Sequence, residues 1–128
     1  MKNKLLCCML ALLLSLMIGG SSLAEAKSAS GKCKLGNDGR TVTFSANMHS
    51  DKSEDIICAT AYLWELRNGT WYCISSTSKT KENSNFVSTS KTVTVTGGYY
   101  YKVTAVLYCE TGSSSTTLNT NTSSRWIA

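Results

Sequence analysis

Gly97-Gly98-Tyr99-Tyr100-Tyr101-Lys102-Val103-Thr104-Ala105-Val106-Leu107-Tyr108-Cys109 sets the architecture of this chain. A glycine pair opens it, a cysteine closes it, and between them lie β-branched and aromatic residues without proline. Such a composition favours a strand able to cross the middle of a sheet. Every second residue from Tyr99 gives Tyr99, Tyr101, Val103, Ala105, Leu107 and Cys109, an almost wholly apolar face. The other face, Tyr100, Lys102, Thr104, Val106 and Tyr108, is mixed. Period two with one dry face describes an antiparallel strand with a core on one side.

Working outward, residues 91–96 set Val93 and Val95 against Lys and Thr, a strand with one wet face that Gly97-Gly98 turns into the next. Residues 40–48 alternate most cleanly, with Val42, Phe44, Ala46 and Met48 on one side. Gly36-Asn37-Asp38-Gly39 marks the turn before them, after a short strand at 32–35. Residues 56–66 are apolar on both faces, so periodicity does not say which is inside. Asn68-Gly69 is the best hairpin signal, because it suits the turn that matches strand twist. It places Leu66 opposite Trp71, Trp64 opposite Cys73 and Leu63 opposite Ile74. Residues 71–76 return as a strand, and residues 116–122 form a last edge strand. The polar stretches 49–55 and 75–90 read as loops, the second pinned by Phe86 and Val87. Trp126-Ile127 is placed to pack back on the domain.

Seven short strands in about 100 residues predict an all-β fold, an antiparallel sandwich resembling immunoglobulin-like and fibronectin-type domains. Its best local match is Tyr99-x-Tyr101-x-Val103-x-Ala105 after a glycine turn, which is similar to the sixth strand of a fibronectin-type domain. Residues 40–48 hold no cysteine, so the antibody-type core disulfide is absent. The chain also resembles small exported proteins of Gram-positive bacteria of unassigned function. That likeness rests on a leader, Leu63-Trp64 ahead of Asn68-Gly69-Thr70-Trp71, and Lys91-Thr92-Val93-Thr94-Val95 leading into Gly98-Tyr99-Tyr100-Tyr101-Lys102-Val103. It implies export and a β fold and carries no chemistry.

Export is also read from the N-terminus. A basic head (Lys2, Lys4), an apolar run over 5–18 and an Ala24-x-Ala26 ending are the parts of a secretory signal peptide, 1–26, cleaved after Ala26. Cys7 and Cys8 leave with it. The domain is then 27–128, secreted or held at the cell surface, with no membrane segment after cleavage. Cys33, Cys58, Cys73 and Cys109 remain, an even count that implies two disulfides in an exported chain. No two stand at zinc-ligand spacing. Three pairings are open; in the immunoglobulin-like topology the favoured one is Cys58–Cys109 with Cys33–Cys73. That choice turns Cys58, Tyr62 and Trp64 inward and Ala59, Ala61 and Leu63 outward, unless a β-bulge intervenes.

The formal charge of +5 has no block of like sign, which speaks against nucleic acid. No catalytic constellation is expected. His49 is the single histidine, and Asp51, Glu54 and Asp55 around it read as a solvated loop. Asp51-x-Ser53-x-Asp55 lacks the glycine and closing Glu of a calcium loop. Glu65 and Glu110 are expected to lie too far apart to flank a glycosidic bond. No cofactor or metal is called for. Tyr62, Trp64, Trp71, Tyr72, Tyr100 and Tyr108 are the candidate binding residues, either a platform or simply core. The expected function is a non-enzymatic exported module that binds an extracellular protein or glycan. The alternatives are a stand-alone carbohydrate-binding module and a small toxin or inhibitor.

Overall fold

A computed structural model of the chain describes residues 28–128. The leader expected over 1–26, with Cys7 and Cys8, lies outside the described residues. Six antiparallel strands form one sheet: β1 (Ala29–Asp38), β2 (Thr41–Arg67), β3 (Thr70–Thr94), β4 (Tyr99–Thr111), β5 (Ser114–Asn121) and β6 (Arg125–Ile127). The sheet curls into a half-barrel. The all-β antiparallel expectation holds. The strand count and the two separate sheets differ, because segments expected as separate strands are continuous.

β2 is the spine. Its first half pairs with β1 on one side and with the second half of β3 on the other. Its second half lies between the first half of β3 and β4. β5 and β6 pair side by side along the far edge of β4. The two halves of β2 meet at a corner, where the β3 register slips between His49 and Glu54. There the sheet folds over itself, as extra residues in one strand of a ladder bend it.

Residues 49–55 therefore belong to a strand rather than a loop, and they do structural work. Ser50 and Glu54 are buried, and Ser50 Oγ donates to Glu54 Oε1 at 3.0 Å. Thr111 Oγ1 donates to the other carboxylate oxygen, tying the corner to the end of β4. Asp55 accepts from the Gly112 amide at 2.9 Å. Residues 75–90 are likewise strand. Most of their Ser, Thr and Lys side chains face water, with Thr80 and Thr89 buried, while β2 satisfies the backbone groups. Val87 is buried and Phe86 is largely exposed, so one of the two expected pins holds.

The core lies inside the curl. Val42, Phe44, Ala46 and Met48 come from the first half of β2, and Ile57, Ala59, Ala61 and Leu63 from the second. Tyr101, Val103, Ala105, Leu107 and Cys109 come from β4, the dry face read from the sequence. β1 lies over β4 so closely that Gly31 leaves no space for a side chain. The hairpin opposes Leu66 to Trp71 and Trp64 to Cys73 as expected. Leu63 faces Ser75 instead of Ile74, because Ile74 is the extra residue of a bulge.

The favoured disulfides are corrected by this geometry. Cys58 pairs in register with Tyr108, and Cys109 with Ile57. Neighbouring residues on a strand point to opposite faces, so Cys109 enters the core and Cys58 stands on the outer face. Cys33 and Cys73 are free thiols. Cys33 approaches the Val103 carbonyl inside the curl, whereas Cys73 lines a groove on the outer face. Ala59, Ala61 and Leu63 accordingly point inward and Tyr62 and Trp64 outward, the reverse of the orientation that a Cys58–Cys109 bridge demands.

Candidate binding face

The outer face of the second half of the sheet collects the aromatics. Alternation along β2 places the half-buried Tyr62, Trp64 and Leu66 there, and alternation along β4 adds Tyr100, Lys102, Thr104, Val106 and Tyr108. The hairpin register brings Trp71 and Cys73 onto the same face. Five of the six sequence candidates, Tyr62, Trp64, Trp71, Tyr100 and Tyr108, thus share one surface. The sixth, Tyr72, pairs with Glu65 and belongs to the opposite face, where Arg67 sits 5.5 Å above its ring. Tyr108 is buried with Cys58 and Val106, and its hydroxyl donates to Glu110 at 2.8 Å.

The aromatics of this face that are not buried include two contacting pairs, one half-buried and one exposed. Tyr62 and Trp64 form a tilted pair with ring centroids 6.4 Å apart. Tyr100 meets Trp126 edge to face at 5.1 Å, and both are about half exposed. Trp126 was not among the sequence candidates. β6 has three residues, too few for a readable alternation, and only its pairing with Tyr100 puts the indole on this face. Between the groups, Lys102 Nζ lies 4.4 Å above the Trp71 ring, a cation–π contact that engages the ammonium.

A groove of about 440 Å³ runs along β4 beside Tyr62 and Trp64. Tyr62 and Trp64 wall it on the β2 side, and Asn119 and Asn121 on the β5 side. Thr104 and Val106 lie between them. In the ladders Asn121 opposes Thr104 and Asn119 opposes Val106, so the two amides stand in register with the wall across β4. β2 and β5 are two strands apart, about 10 Å at ordinary strand spacing, room for one ring-sized ligand lying over β4. Trp64 is held in place, since its Nε1 donates to Thr104 Oγ1 at 2.7 Å. Burial, and next the nearby Cys73, raise the Tyr62 pKa, so its phenol keeps its proton. Burial also raises the Cys73 pKa, so the thiol beside the wall is protonated at neutral pH. None of the lining residues is charged.

The carboxylates do not converge. Glu65 pairs with Tyr101 at one end of the β2–β4 ladder and Glu110 with Ile56 at the other. Nine ladder steps separate them, roughly 30 Å at strand rise, and they point to opposite faces. Glu65 is buried, accepts from the Tyr101 hydroxyl at 2.7 Å and pairs with Arg67. His49 is exposed on β2. Among the described residues no three metal-ligating side chains meet.

No protein-family model matches the chain, and no match is found among curated proteins.

Proposed function

We propose that this chain is an exported, non-enzymatic binding module whose contact surface is the outer face formed by the second half of β2 with β3, β4, β5 and β6. Export rests on the leader-like residues 1–26. The observation that carries the binding reading is the placement of Tyr62, Trp64, Trp71, Tyr100 and Trp126 on the sheet face opposite the main core. The main core lies inside the curl; Tyr62 packs against the small Cys58–Val106–Tyr108 cluster on the outer face, and Trp64, Trp71, Tyr100 and Trp126 belong to neither cluster. Aromatic side chains that stay at the surface supply large contact area at low entropic cost. The separation of Glu65 from Glu110 keeps these two carboxylates from acting as a pair, which favours binding over turnover.

The test is binding of the purified chain to extracellular glycans and proteins, compared with its face variants. Trp64→Ala and Trp126→Ala are expected to weaken capture by about tenfold or more, as loss of a buried anchor does. Tyr72→Ala, on the other face, is expected to leave it unchanged. Binding that survives both tryptophan changes and is lost with Tyr72 would overturn the assignment of the face.

A further inference from the structure

Resting on that reading, we infer that the groove between the Tyr62–Trp64 wall and the Asn119–Asn121 wall takes a neutral saccharide ring. The argument is one of matching chemistry. A pyranose has two kinds of surface: a face of C–H bonds and a rim of hydroxyls. The C–H face carries partial positive charge and suits the electron-rich face of an indole or phenol. The hydroxyl rim both donates and accepts, and a primary amide can answer both at once. The groove presents these two chemistries on opposite sides, one ring width apart, with Thr104 between them.

Other ligand classes fit less well. A nucleobase would stack on the same rings, but its phosphate would need Lys or Arg, and none lines the groove. The nearest cation on this face, Lys102, is engaged with Trp71. Acidic sugars lack a counter-charge for the same reason. An apolar ligand would suit the aromatic wall and Val106 but would leave the Asn119 and Asn121 amides unused. The wall is also prepared for a ligand: the Trp64–Thr104 hydrogen bond fixes the indole before anything arrives, which lowers the entropy lost on binding.

The experiment is titration of the full chain with neutral oligosaccharides (hexoses and N-acetylated hexosamines in short β- and α-linked chains), followed by tryptophan emission and calorimetry. Acidic oligosaccharides are run in parallel. A neutral glycan is expected to bind saturably and to shift emission. Trp64→Ala is expected to weaken that binding about tenfold or more, and Asn119→Ala with Asn121→Ala by several-fold. The asparagines are exposed on an edge strand, so their variants are expected to fold even where Trp64→Ala does not. Tyr72→Ala is the control. Failure of every neutral glycan, preference for acidic ones, or binding indifferent to both Trp64 and the asparagines would overturn the saccharide assignment. A protein ligand that depends on Trp64, with no glycan bound, would sink the saccharide and leave the module reading intact. Ligands of either kind that ignore this face would sink both.

Discussion

The Trp64 indole nitrogen donates to the Thr104 hydroxyl at 2.7 Å, joining β2 to β4 on the outer face. The two residues are not direct ladder partners. Trp64 opposes Lys102, and Thr104 opposes Tyr62. The indole therefore lies along the sheet rather than standing free. Thr104→Val keeps the shape of the residue and removes the acceptor. It is expected to lower stability by about 1 kcal/mol, the net worth of such a bond, and to red-shift tryptophan emission. Urea unfolding with fluorescence detection checks both. An unchanged midpoint and spectrum would mean that Thr104 does not hold the ring.

The cysteines give a second prediction. Cys73 is exposed and Cys33 half-buried, and burial raises both pKa values. Thiol reagents act on the thiolate, so Cys73 is expected to react first but more slowly than an unhindered cysteine, with a rate that climbs as pH rises. Cys33 is expected to follow. Mass mapping of the labelled native chain reads the order. Recovery of a Cys58–Cys109 cystine from native protein would require one strand to slip by a residue, which exchanges its faces and would contradict this fold.

Tyr101 predicts alkaline sensitivity. Burial, and then the hydrogen bond to Glu65, raise its pKa in the folded protein well above the ordinary tyrosine value. The native state therefore keeps this proton at a pH where the unfolded chain, with a pKa of about 10, releases it. The sign follows: the stabilisation is complete below about pH 10 and is lost as pH rises above it. Denaturation midpoints from pH 8 upward should fall beyond about pH 10 in the native sequence. In Tyr101→Phe that fall should be weaker, starting from a lower plateau, because buried Glu65 has lost a donor.

Two glycines of β1 separate close packing from open space. A Cβ on Gly31 would clash with the Asn47 carbonyl oxygen and Leu107 Cδ1, with Met48 Cα at 3.2 Å. One of the close contacts is backbone, so Gly31→Ala is expected to cost about 1–3 kcal/mol or more. At Gly36 a Cβ would meet only the Thr43 oxygen, at 3.9 Å. Gly36→Ala is expected to be neutral or to stabilise by up to about 1 kcal/mol through reduced freedom of the unfolded chain. Equal effects at the two positions in thermal unfolding would contradict the packing of β1 on β4.

Phe44 tests the core directly. It is fully buried on the first half of β2. Phe44→Ala should cost about 3–5 kcal/mol by calorimetric unfolding. A change below about 1 kcal/mol would place Phe44 outside the core.

Much of this was local and therefore legible. Val42, Phe44, Ala46 and Met48 alternate with polar neighbours, and all four are buried. The dry face of β4 and the Asn68-Gly69 turn were equally plain, with Asn68 and Gly69 both at positive φ. Each is a property of a few consecutive residues, set by the two-residue period and by which side chains tolerate a tight turn.

The remainder depended on partners distant in the chain. Residues 75–90 look like a loop because their side chains are polar, yet a strand is held by backbone hydrogen bonds, which β2 supplies regardless of side chain. Residues 56–66 are apolar on both faces, so only the fold of the sheet could choose Ala59, Ala61 and Leu63 for the core and leave Tyr62 and Trp64 at the groove. The amides of Asn119 and Asn121 carry no signal in a polar edge strand, and they matter only because β5 sets them across β4 from Trp64. The sequence determined the alternating segments and the tight turns, because those are local choices, but not the strand character of the polar stretches 49–55 and 75–90. The tertiary structure decided which face is wet and which cysteines stand apart, because facing is settled by register between strands, and register is a long-range quantity.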